Sequence, residues 1–199
     1  MTLKDLQDFL SKKGKQIEDL TRRRMPVIVG QMAVSHFKDN FRQGGFVDNG
    51  LHAWKPSKRL QGNKKGAASN YKTLTSGRNH LMSGIKYIPA DSAVLIKNDV
   101  PYASIHNEGG QVNINPTVTK KMRRFAWAKY YEALDGLKVT KDTTIPEDAA
   151  RWRGLALTKK TKLNISYMMP KRQFIGDSKE LTDKINAKWE QEIEKIINL

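Results

Sequence analysis

Cysteine is absent from all 199 residues, so neither a disulfide framework nor a cysteine-held zinc ion is available to this chain. Histidine is scarce, with His36, His52, His80 and His106 as the whole imidazole supply. No apolar run approaches the roughly 18 residues of a membrane-spanning helix, and the opening Met-Thr-Leu-Lys-Asp puts charge where a signal peptide needs its apolar stretch. These absences predict a protein made in the cytoplasm, with no membrane partner. Hydrophobic residues make up only 38% of the chain and mean hydropathy is -0.64. A modest core carrying long polar excursions is expected, some of them ordered only on assembly. The length fits a single domain over residues 1–199.

Acid is missing where base is dense. The net charge of +16 is unevenly spread: no Asp or Glu occurs from Asn49 to Ala90, from Gly109 to Tyr131, or from Ala149 to Gly176, and the acids gather at the two ends. Such segregation suits either a nucleic-acid surface or a basic surface that meets acidic ones on neighbouring subunits. Lys55, Lys58, Arg59, Lys64 and Lys65 are the candidate contacts for either partner.

Periodicity organises the rest. Leu3, Leu6, Leu10, Ile17 and Leu20 predict an amphipathic helix, with Arg22, Arg23 and Arg24 at its carboxyl end and Pro26 opening a second helix to about Phe41. Residues 49–76 turn to Gly, Asn, Ser and Lys without periodicity and predict a long basic loop, anchored by Trp54, that orders on assembly. A short helix is expected from Thr75 or Ser76 through Ser83, then a hairpin carrying Ile85, Tyr87, Val94 and Ile96 across Pro89–Ser92. Pro101 to Asn107 reads as a helical turn stopped by Gly109 and Gly110. An insertion at about 111–169 reads as mostly helical, with helices at Thr117–Leu134 and Pro146–Leu157 and strands near Val112 and Ile165. Leu181, Ile185, Trp189, Ile193 and Ile196 make a last helix, capped by Asp177 or Ser178. Helices at both ends around an antiparallel sheet define an α+β fold.

No constellation supports catalysis. His106-Asn107-Glu108 invites a metal-nuclease reading, but no second histidine follows on a downstream helix, and the ring is expected to bond backbone at the Gly-Gly turn. There is no Gly-x-Ser-x-Gly elbow, and Gly62-Asn-Lys-Lys-Gly66 lacks the ending that binds magnesium in a phosphate loop. No enzyme, cofactor or metal is expected. The glycines read as geometry: Gly77, Gly109 and Gly110 are places for positive φ or for close approach of another chain. Tyr102 and Ile105, a helical turn apart, are expected to face the core or a neighbour together.

Two blocks carry a resemblance. Leu74, Ser76, Gly77, Leu81, Ser83 and Ile85 fit a Leu-x-x-(Thr/Ser)-Gly-x-Leu-x-x-Ser-Ile pattern, and Tyr102, Ala103, Ile105, His106, Gly109 and Gly110 fit Tyr-Ala-x-Ile-His-x-x-Gly-Gly. With a helical start, the Trp54-Lys-Pro-Ser segment and Pro170-Lys-Arg-Gln-Phe174-Ile-Gly before a last helix, the chain resembles the virion morphogenesis or tail-completion proteins of Mu-like and P2-like phages and prophages. It departs from the pattern by the long segment between Gly110 and Pro170 and by Gly84 after Ser83. The resemblance implies a structural protein, assembled in the bacterial host cytoplasm and carried in the virion, that completes the tail and joins it to the head. It further implies a ring of copies, a hexamer in the particle, with tail-tube and head–tail connector proteins as partners and DNA in the lumen. A basic DNA-binding protein of packaging or morphogenesis is the alternative.

Overall fold

The computed structural model describes residues 2–60, 70–140 and 143–198; the expectations placed on Lys64 and Lys65 lie outside these. The chain divides into two compact units, Met1–Gly110 with Met169–Leu199, and Gln111–Met168.

The first unit opens on α1 (Leu3–Asp19). Thr2 Oγ1 accepts from Asp5 N at 3.2 Å while the Asp5 carboxylate accepts from Thr2 N at 2.7 Å, a capping box that satisfies two donors orphaned at a helix start. The sequence predicts a break before Pro26. The structure instead runs through a π-helical turn, Leu20–Arg24, straight into α2 (Met25–Gln43). Pro26 has no N–H to give the Arg22 carbonyl, and the widened turn accommodates its ring. Gly44, at φ 77, ends α2 and returns its N–H to Asn40 O.

Two short strands follow, β1 (Gly45–Val47) and β2 (Leu51–Ala53), paired antiparallel from Gly45–Ala53 to Val47–Leu51. The expected loop at 49–76 therefore begins with a strand. Asn49 and Gly50, at φ 50 and 118, turn the chain, and β2 is too short and too exposed to show alternation. After a 3-10 turn at Lys58–Leu60 comes α3 (His80–Ser83), which starts later than expected. Ser76 and Asn79 hold each other first, Asn79 N donating to Ser76 Oγ and Ser76 N to Asn79 Oδ1. This closed turn supplies the bonds that an earlier helix start would have made.

The hairpin β3 (Ile85–Ala90) and β4 (Ala93–Asn98) pairs antiparallel from Ile85–Asn98 to Ala90–Ala93. Its tip closes on the π turn: Ser92 N donates to the Arg22 carbonyl at 3.2 Å, and Arg22 Nε donates to Asp91 Oδ1 at 2.8 Å. The bond that Pro26 cannot make is thus supplied from the hairpin. α4 (Ala103–Glu108) ends at Gly109, whose N–H reaches Ile105 O.

The second unit contains β5 (Gly110–Ile114), α5 (Lys120–Leu134), α6 (Glu147–Leu157) and β6 (Ile165–Met169). α5 and α6 pack about Tyr130, Leu134 and Ala149 with Trp127 and Trp152 around them, and β5 pairs with β6. Arg123 Nη1 caps the end of α6 by donating to the carbonyls of Ala156 and Thr158. The chain then re-enters the first unit and closes it with α7 (Lys179–Ile197), capped by Ser178 Oγ.

The fold is α+β, with its strands in separate two-stranded pairs among the described residues. The main core gathers Phe37, Phe41, Phe46, Trp54, Leu81, Ile85 and Phe174 between α2, the hairpins and the start of α7. A second cluster joins Leu20, Met25 and Ile196 where α7 returns to the α1–α2 junction. Asn40, fully buried, donates Nδ2 to Phe174 O and accepts Val47 N, so the buried amide is satisfied at both ends.

Candidate assembly site

The two motif blocks and the Pro170 segment meet in one place. Leu81, Ile85 and Ala103 are buried together with Trp54 and Phe174. The Trp54 ring stands edge-on to Phe41 at 5.4 Å, and its Nε1 donates to Gln173 O at 2.7 Å. Asn107 binds the same segment. Its Oδ1 accepts from Phe174 N at 2.8 Å and Ile175 N at 3.0 Å, and its Nδ2 donates to Ile175 O at 3.1 Å. Gly109, at φ 72, lets that segment pass: a Cβ there would lie 2.7 Å from Lys171 N. Gly110, at φ 123, likewise needs the left-handed freedom of glycine.

Beside this junction lies a cleft of about 530 Å3. Arg172 and His106 line it, with Ser57, Leu74 and Tyr102. Arg172 is only 7% exposed and is held by its Nε on Lys55 O at 2.9 Å and by its backbone N on His106 O at 2.8 Å. Burial lowers its pKa, as it does that of His106, on which the Arg172 charge acts in the same direction. Leu74 sits at φ 61, a left-handed conformation that bulky side chains disfavour.

Several expectations need correction here. The His106 ring does not bond backbone at the glycine turn, where Gly109 N donates to Ile105 O: the His106 carbonyl accepts Arg172 N, and ring Nδ1 has no partner among the described residues. Of the two places expected for Tyr102 and Ile105, the core does not take Tyr102, which is exposed and stands edge-on to His106 at 5.9 Å, while Ile105 is half-buried. Gly77 is outside the left-handed region, which Leu74 and Asn79 occupy instead, and a Cβ on Gly77 would meet Tyr71 Oη at 3.0 Å. Ser83 is exposed and donates to Asn79 O. Lys55 and Lys58 are exposed, whereas Arg59 is half-buried with Nη2 donating to Lys72 O and Thr75 O. Sequence reasoning passed over Arg172, Asn107 and Ser57; the only signal was the placement of Arg172 between Pro170 and Phe174.

A second feature lies on α1, where no residue is buried. Leu3, Leu6, Phe9 and Leu10 are 84, 37, 48 and 59% exposed. Among the described residues no three His, Asp or Glu side chains are grouped to hold a metal, and no helix is long and apolar enough to cross a membrane.

The model of the phage virion morphogenesis family matches residues 1–194. The chain belongs to that family. Membership gives it a structural part in building a phage particle, and the match runs through both compact units. No curated protein and no solved structure matches the chain. The two motif blocks, which look like separate signatures along the sequence, form one junction around Asn107 and Phe174.

Proposed function

We propose that this protein completes the tail of a phage or prophage and joins it to the head, as a ring of copies between tail-tube and connector proteins. The observation that carries the reading is the open apolar face of α1. Leu3, Leu6 and Leu10 repeat at helical spacing on one side with Phe9 beside them, yet the described residues leave all four exposed. Each large apolar side chain left in water forgoes about 1.5–3 kcal/mol of burial. A face of this kind is resolved by another protein surface. Head-to-tail contacts between identical copies close into a ring when their rotation closes, and a hexamer is the ring size that the family resemblance implies. The protein works by contact and shape, without catalysis.

The test is Leu6→Glu with Phe9→Glu, compared with the parent by light scattering, alone and with tail tubes, and by complementation of tail joining. Both residues stand clear of the core, so thermal unfolding is expected to be unchanged while association and joining are lost. A doubly substituted protein that associates and joins tails like the parent removes the reading.

A further inference from the structure

We propose that the cleft beside His106 is a carboxylate receptor, taking one aspartate or glutamate side chain of the protein that docks on this face in the particle. The identity of the partner as a protein rests on the assembly reading above; the site itself rests on unpaired groups. Arg172 is a buried guanidinium with no carboxylate partner among the described residues: Nε is used by Lys55 O, and Nη1 has only the Met169 sulfur at 3.8 Å. Buried charges in proteins are ordinarily paired, and a sulfur is a weak acceptor. His106 Nδ1 and Ser57 Oγ, both on the same cleft, are also buried without a hydrogen-bond partner among the described residues. A water molecule can satisfy a hydroxyl or an imidazole. It cannot neutralise a guanidinium. Leu74 adds a separate sign, since a bulky residue held at φ 61 on the wall of a cleft is the kind of strain that gathers at functional sites.

The chemistry favours a carboxylate over a nucleic-acid phosphate. The unused edge of the Arg172 fork matches two carboxylate oxygens in a plane. Among the described residues no lysine and no acid lines the cleft, and Leu74, Leu81 and the Tyr71 and Tyr102 rings make its walls largely apolar. A phosphodiester strand wants a track of cations along its length, whereas this cleft sets Arg172 in its wall beside Arg59, whose Nη2 already donates to the Lys72 and Thr75 carbonyls, so a single side chain can reach the recessed Arg172 fork. A carboxylate arriving there also turns His106 into a donor, since a nearby negative charge favours the protonated ring.

The experiment follows the Arg172 Nε–Hε and His106 ring resonances of the full-length protein by NMR. The probes are N-acetyl-glutamate N-methylamide, inorganic phosphate and a short DNA duplex, at fixed ionic strength. The expected result is a saturable shift of both residues with the glutamate probe and a raised His106 pKa. Arg172→Lys, which keeps charge but loses the fork, is expected to weaken that binding roughly tenfold or more. Should Arg172→Lys fail to fold, Ser57→Ala carries the test and is expected to weaken the same shift with unfolding unaltered. The proposal is overturned by no saturable shift, by an equal shift from sodium chloride, or by tighter binding of phosphate or duplex. The probe needs no assembly, so a failure here leaves tail joining to the α1 variants, and a positive result stands even if those variants join tails normally.

Discussion

Gly109 decides how α4 hands the chain onward. At φ 72 any side chain is strained, and a Cβ would lie 2.7 Å from Lys171 N, 2.9 Å from Lys171 Cα and 3.0 Å from Met169 O. All three atoms are backbone, so none can swing aside. Gly109→Ala is expected to cost about 1 kcal/mol in conformational strain and about 1–3 kcal/mol in overpacking. Gly14→Ala, where φ is helical and nothing lies within 4 Å, is the control and should gain up to about 1 kcal/mol. Thermal unfolding of the pair checks this, and a Gly109→Ala protein as stable as the Gly14→Ala control refutes it. The Gly-Gly pair was legible in the sequence because glycines after a helical turn have few other uses. Arg172 and Asn107 were not: one looked like another member of a basic run, and the other acts on Phe174, which only folding brings near.

Elements with a clear period were legible from the sequence, and those set by tertiary partners were not. α7, the β3–β4 hairpin, α5 and α6 lie where spacing and caps put them. The α1–α2 junction does not, because Pro26 signals a break only when no other donor reaches the Arg22 carbonyl, and here Ser92 does. α7 is fastened to that junction by charge as well as by packing. Glu192 is buried and accepts Lys195 at 2.7 Å, pairs with Lys188 at 3.0 Å, and meets Arg24 of the π turn at 2.9 Å. Hydrogen bonds from Lys195 and then Lys188 lower its pKa to about 2, against 4.5 for an unperturbed glutamate. A carboxylate depressed by folding stabilises fully above its unfolded pKa and loses that contribution as pH falls through its folded one. Between pH 4.5 and 2 the parent should therefore lose stability through this group, and Glu192→Gln should be less stable above that window with a shallower decline across it. Parallel unfolding curves for the two proteins would show that Glu192 carries none of the pH dependence.

The whole molecule carries 36 basic against 20 acidic residues, so two copies repel each other wherever their charged surfaces are close. An apolar face on α1 must work against that repulsion, and salt removes the repulsion without weakening apolar burial, the screening length falling to about 10 Å at 0.1 M. Self-association through α1 should therefore strengthen as salt rises from low values to about 0.5 M. Association in which basic segments meet acidic side chains of a neighbour has the opposite sign. So does binding to DNA, where neutralised phosphates release counterions and affinity drops steeply with salt. Sedimentation velocity across that salt range, with and without duplex DNA, separates the readings by direction alone. Oligomers that grow with salt and a weak, salt-labile association with duplex place the assembly contact on α1. Oligomers that dissolve with salt move the contact to the charged surfaces, and a tight duplex complex at low salt with no self-association would make the basic runs a nucleic-acid surface after all.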